Sequence, residues 1–173
     1  IISPVDGAEM VLIPEGEFIM GLEEEELNHI FLLDEFENPV FATEVPSKNI
    51  YLKSYYIDRY PVTNFQYLKF MEATGHRAPM LLEHPDWGQP LQPIVFVGWD
   101  DARAYADWAG KKLPTEAQWE KAGRGTDGRW WAWGKQFLSG NCNSREYGLE
   151  HTSDIGIFDE GISPYGCYDM CGN

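Results

Sequence analysis

Residues 98–125, GWDDARAYADWAGKKLPTEAQWEKAGRG, constrain this chain more than any other stretch. Asp100 is a good N-cap residue, and Ala102, Tyr105, Ala106 and Ala109 recur at helical spacing. Gly110 is suited to the left-handed conformation that ends a helix. After the Leu113-Pro114 step, Thr115 and Gln118 have the spacing of a capping box, with Trp119 and Ala122 facing inward and Gly123 or Gly125 as the stop. Two short helices meeting at a tight corner are therefore expected. Trp99, Trp108 and Trp119 fall inside this unit. Each buries a large apolar area when packed and needs one partner for its ring N–H, so the corner reads as a packing hub.

The flanks are read by the same logic. Val11–Ile13 and Glu17–Met20 are strand candidates around a Pro14-Glu15-Gly16 turn, a hairpin pattern. Residues 22–38 carry four consecutive glutamates at 23–26, and read either as a surface loop or as a short amphipathic helix. The glutamates lack the alternating ligands and turn glycine of an EF-hand loop and read as a solvated acidic face. Ile50 and Leu52 alternate with polar neighbours in a half-buried strand, and residues 55–57 stay extended up to Tyr60-Pro61. Thr63 and Gln66 open a further helix that carries Tyr67, Phe70 and Met71 on one face and stops at Gly75. Prolines at 79, 85, 90 and 93 forbid regular structure between residues 76 and 93, leaving an ordered loop of the kind that shapes a cleft. His76 and His84 at its ends read as surface histidines. Residues 94–97 form a β-branched run before the central helices, and few periodic apolar residues follow Gly125. The fold class is α+β, with short helices, short strands and much irregular coil.

Length and charge narrow the function. The 173 residues suit one domain with a real core. A net charge of −15 repels nucleic acid and anionic lipid, and favours cationic partners or metal ions. The apolar runs are too short to cross a bilayer, and no leader precedes Ile1, so the start reads as processed or truncated. Cys142, Cys167 and Cys171 allow at most one internal disulfide; their spacing fits neither a zinc nor a haem motif, and they read as buried small residues.

WAGKKLPTEAQWEKAGRG (108–125) resembles the signature of the formylglycine-generating enzyme, or sulfatase-modifying-factor, family. MVLIPEGEFIMG (10–21), YYIDRYPVTNFQYLKFMEATG (55–75) and SPYGCYDMCGN (163–173) are similar to other family landmarks, in the family's order. The resemblance implies the family's variant of the C-type-lectin-like fold, as one domain over 1–173 that is C-terminally incomplete. It implies structural calcium: one ion held by the segment matching Asn143 and Ser144, and a second by the Asn that matches Asn173. An Asx-turn role without metal is the alternative for Asn143. The family's enzymes oxidise a client cysteine to formylglycine, using O2 and a cysteine pair that binds copper(I), for which thiolate is the preferred soft ligand.

None of Cys142, Cys167 or Cys171 matches that pair, so no catalytic residue is assigned in this chain, and copper enters only with a longer chain that carries the pair. Lys112 and Lys48 stand where the family commonly has Arg and His. Two readings result: an oxidising enzyme acting on a protein or peptide client, or a non-catalytic binding or structural subunit on the same fold. A partner chain that completes the fold, an extracytoplasmic location, and no nucleic-acid or membrane-inserted partner belong to the same expectation.

Overall fold

In the computed structural model, residues 1–27 and 39–173 are described. The strands are β1 (Met10–Ile13), β2 (Gly16–Met20), β3 (Lys48–Leu52) and β4 (Tyr55–Asp58). The helices are α1 (Asn64–Thr74), α2 (Trp99–Trp108) and α3 (Glu116–Arg124), with 3-10 turns at Pro39–Glu44, Ser139–Asn141 and Asp159–Gly161. The architecture is α+β. Among the described residues, no helix is long and apolar enough to cross a membrane.

The four strands have a different pairing from the expected hairpin. β1 pairs antiparallel with β4, Ile13 opposite Tyr55, and β2 pairs antiparallel with β3, Gly16 opposite Leu52. The chain thus runs out along β1 and β2 and returns along β3 and β4, as one ribbon broken where Pro14 cannot donate to a ladder. Alternation sets the faces: Ile13 and Phe18 are buried, whereas Leu12 and Ile19 are exposed.

Capping chemistry places the helices. Thr63 accepts from the Gln66 N–H at 3.2 Å while Gln66 Oε1 accepts from the Thr63 N–H at 2.9 Å, and Thr115 and Gln118 make the same reciprocal pair. In α2 the expected cap is displaced. Gly98 is the N-cap, and Asp101, at the third helical position, accepts its N–H at 2.9 Å; Asp100 lies within the first turn. The stop is as expected: Gly110 has φ 72°, and the Lys111 N–H closes onto the Ala106 carbonyl at 2.8 Å. Residues 94–97 form no strand; their backbone turns at Phe96, whose φ is 57°.

Two apolar clusters hold these pieces. Tyr67, Phe70, Tyr105 and Ala109 join α1 to α2, and Met71, Val97 and Trp108 pack against them. Ile13, Ala122 and Cys167 join β1, α3 and the C-terminal segment. The tryptophan hub holds only for Trp108. Trp99 is 64% exposed beneath the Arg103 guanidinium, and Trp119 is 49% exposed because it lines a groove.

The acidic stretch is helical at 24–27, and residues 28–38 lie outside the described residues. Glu26 departs from a purely solvated face, accepting from the Trp130 indole N–H at 2.9 Å and from the Glu23 N–H at 3.0 Å. His76 departs too: its ring packs 4.8 Å from Phe70, and its Nε2 lies 2.9 Å from Asp101 Oδ1.

Candidate functional site

The proline-rich loop is pinned from below, and this orders everything it borders. Asn64 Nδ2 donates to the carbonyls of Trp87 and Gln89 at 2.8 and 2.9 Å. Gln92 Nε2 donates to Asp86 and Thr152 carbonyls at 3.0 and 2.6 Å, joining the loop to the C-terminal coil. Both residues are buried amides that stand in for secondary structure, and no periodic pattern announces them.

A groove of about 750 Å3 opens between β1, β4 and the α2–α3 corner. Ile2, Ile57, Leu113, Trp119, Tyr168 and Met170 are among its walls. Its bottom is fixed by charge. Lys111 Nζ donates to Asp6 Oδ2 at 2.7 Å and to both Asp58 oxygens at 2.8 and 2.9 Å, and the Tyr105 hydroxyl donates to Asp6 Oδ2 at 2.7 Å.

Burial pushes the Asp6 carboxyl up, but Lys111, Tyr105 and the Ala8 N–H together outweigh it and hold it at about 2. Asp58 moves the other way. Burial dominates there, Lys111 opposes it, and the neighbouring Asp6 charge adds to it. One lysine serves two carboxylates, and the one with more protein donors is the one held low.

The expected calcium residues come together in the C-terminal coil. Asn143 Nδ2 donates to the His151 carbonyl at 2.7 Å and lies 3.5 Å from Asn173 Oδ1. Asn173 Oδ1 accepts the Ser153 N–H at 2.7 Å, and Asn173 Nδ2 donates to the Ser153 carbonyl at 3.2 Å. The Ser144 carbonyl accepts the N–H groups of Tyr147 and Gly148 at 3.1 and 3.2 Å, so both its lone pairs are engaged.

Asp169 completes this group, and residue patterning does not single it out. Its φ is 58°, and both carboxylate oxygens are buried without a hydrogen-bond partner. Burial pushes its carboxyl up, with the Gly156 N–H and the Asn173 amide opposing from nearby. A buried carboxylate lacking partners is costly unless a proton or a cation joins it. Hard cations such as calcium take such oxygens.

The cysteines do not form a reactive pair. All three are free; Cys142 and Cys167 are buried, and Cys171 accepts the Ala132 N–H at 3.3 Å. Burial pushes every one of these thiols up, the reverse of what a thiolate ligand or nucleophile needs. Among the described residues, no group of three or more His, Cys, Asp or Glu side chains converges to hold a metal ion.

The Bacillus subtilis protein YfmG is 38% identical over 146 residues, a match covering 74% of this chain and 28% of YfmG. A formylglycine-generating enzyme of Thermomonospora curvata is 31% identical over 220 residues, covering 95% of this chain and 68% of that enzyme. The structure of PvdO from Pseudomonas aeruginosa superposes with a TM-score of 0.75 and 27% identity, covering all of this chain and 70% of PvdO. The chain thus spans little more than a quarter of YfmG and about two thirds of the other two. Residues 3–173 match the profile described as a sulfatase-modifying factor enzyme 1-like domain, and with that profile running through both helices of the corner, the ribbon and the C-terminal coil, this chain belongs to the sulfatase-modifying-factor family.

Proposed function

We propose that this chain is the polypeptide-receiving part of a sulfatase-modifying-factor protein, and that the groove holds an extended client segment next to the oxidising centre. The groove carries the reading. Its walls are largely apolar, β4 borders it and among the described residues pairs with β1 alone, and an extended peptide can add to such an edge while its side chains enter the groove. In this reading the protein oxidises a client cysteine to formylglycine with O2 and copper; its similarity to proteins named formylglycine-generating enzymes supports the product of that reaction. Cys142, Cys167 and Cys171 are not assigned to that centre: burial pushes all three thiols up, against thiolate character, and none matches the family's copper-binding pair. No step is assigned to them.

We also propose structural calcium at the C-terminal coil, with the Asp169 carboxylate as the charged ligand and the amide oxygen of Asn143 beside it; Asn173 Oδ1 already accepts from the Ser153 N–H and Oγ. The unpartnered Asp169 oxygens fit such an ion, whereas the Ser144 carbonyl, already accepting twice, does not. The ion would supply charge compensation and cross-link the coil. It has no part in the reaction.

A second reading on the same fold is a binding or structural subunit without oxidase activity, which uses the groove in the same way. The test is incubation of the full-length protein with a cysteine-containing peptide, copper(I) and O2, scored by aldehyde labelling and by Trp119 fluorescence. Aldehyde formation with a fluorescence change supports the enzyme. A fluorescence change without aldehyde supports the subunit. No fluorescence change on peptide addition would sink both.

A further inference from the structure

A second cavity of about 300 Å3, sharing Tyr67 with the groove, is lined by Tyr67, Arg77, Ala78, Pro79, Met80, Phe96 and Asp101. Its polar groups are unevenly satisfied. Asp101 is fully engaged: it accepts Arg77 Nε and Nη2 at 3.2 and 2.8 Å and the Gly98 N–H at 2.9 Å, and lies 2.9 Å from His76 Nε2. Arg77 spends one side of its guanidinium on Asp101, and Nη1 together with the second Nη2 hydrogen remain available on a side chain that is 78% exposed.

Tyr67 is the orphan. Its side chain is 1% exposed, its hydroxyl is buried with no hydrogen-bond partner, and Asp101 and Arg77 both act electrostatically on that hydroxyl. The ring has no freedom to turn away. It stacks on Tyr105 at 5.8 Å and meets Phe70 edge-on at 5.2 Å.

Donors are therefore in surplus at this site, and what it lacks is a pair of acceptor oxygens. The rim is the opposite in character. Met80 is 82% exposed and Phe96 63% exposed, two large apolar side chains beside a polar floor. Solvation alone does not favour that arrangement. A planar carboxylate matches two guanidinium N–H groups and a hydroxyl, because it offers about four lone-pair directions in one plane. We propose that this cavity binds a small organic carboxylate, with Arg77 and Tyr67 donating to its oxygens and an apolar body lying against Pro79, Met80 and Phe96. Two sources share that chemistry: a free hydrophobic carboxylic acid and the C-terminus of a peptide. The cavity volume, at the lower end of ligand sites, holds either one small acid or one terminal residue.

The test is titration of the protein with N-acetyl-leucine, N-acetyl-leucine amide, and the tripeptide Ala-Ala-Leu with a free C-terminus, followed by isothermal calorimetry and by NMR shifts of the Tyr67 and Arg77 signals. The two carboxylates are expected to bind and the amide to bind at least tenfold more weakly, the loss corresponding to a hydrogen-bonded charge. Tighter binding of the tripeptide assigns the site to chain termini, and tighter binding of N-acetyl-leucine assigns it to free acids.

Tyr67→Phe is expected to weaken carboxylate binding about fivefold or more without lowering the melting temperature, since the hydroxyl has no partner to lose in the free protein. Arg77→Gln, on an exposed side chain, is expected to abolish the preference for carboxylate over amide. Equal binding of acid and amide, unchanged affinity in both variants, or shifts confined to groove residues other than Tyr67 would overturn the proposal.

Discussion

Single residues decide this fold where backbone meets backbone. A Cβ on Gly161 would lie 1.8 Å from the Asn141 carbonyl oxygen, and no side-chain motion relieves a contact with the main chain. Gly161→Ala is expected to cost about 2 kcal/mol or more, read as a lower urea midpoint with unchanged slope. Lys121 is the second such residue. It is 1% exposed, and its ammonium donates to the carbonyls of Pro14 and Gly16 at 2.8 and 2.9 Å. Lys121→Met keeps the length of the stem but orphans both carbonyls, and the expected loss is about 1–3 kcal/mol by chemical denaturation. Neither role is legible from the residue itself. A lysine in the last turn of a helix reads as solvated, and it is the ribbon turn arriving above α3 that makes it a core donor.

At the scale of elements, the helices were legible and the strand pairing was not. The Thr63–Gln66 and Thr115–Gln118 boxes and the Gly75 and Gly110 stops are local chemistry, complete within one turn, so spacing alone locates them. Thr115→Ala is expected to cost about 1 kcal/mol, measured by thermal melting, while Thr115→Ser changes little. Pairing β1 with β4 rather than β2 depends on residues more than forty positions away, and adjacent strands bounded by a proline turn look the same on paper either way. The displaced cap of α2 has a similar cause. Asp100 and Asp101 are equally good capping residues in isolation, and the arrival of His76 and Arg77 from the proline-rich loop selects Asp101. Those partners and the Gly98 N–H hold the Asp101 carboxyl well below the usual range, Arg77 contributing most. Its ionised form therefore supports the α1–α2 junction above the ordinary carboxylate range, and that support is lost only in strong acid.

For the whole molecule, charge placement sets the acid limit. The Asp6 carboxyl, held at about 2 in the fold against an ordinary value of 3.8, contributes stability that is complete above pH 4 and lost as pH falls toward 2. Asp58 is raised instead and takes its proton earlier, so it adds nothing to that loss. Acid unfolding followed by circular dichroism is expected to steepen over that interval in the parent protein. In Lys111→Met, which leaves the buried Asp6 and the half-buried Asp58 without their cation, stability at neutral pH is expected to fall by about 3 kcal/mol. Asp169 supplies the complementary test: with calcium as its counter-ion, the melting temperature at pH 7 is expected to rise on calcium addition and to fall with a chelator, and Asp169→Asn is expected to flatten that response.

The sequence by itself determined the helices, the capping boxes of α1 and α3, the α+β class and the family, because each rests on short-range spacing or on motifs kept in order along the chain. Only the tertiary structure decided that the Asp169 carboxylate is buried without a partner while the Ser144 carbonyl is engaged, that Trp119 lines a groove instead of filling a core, and that Tyr67 keeps a buried hydroxyl without a partner. Those properties belong to what surrounds a residue, and burial and hydrogen-bond satisfaction are fixed by contacts between segments far apart in the chain.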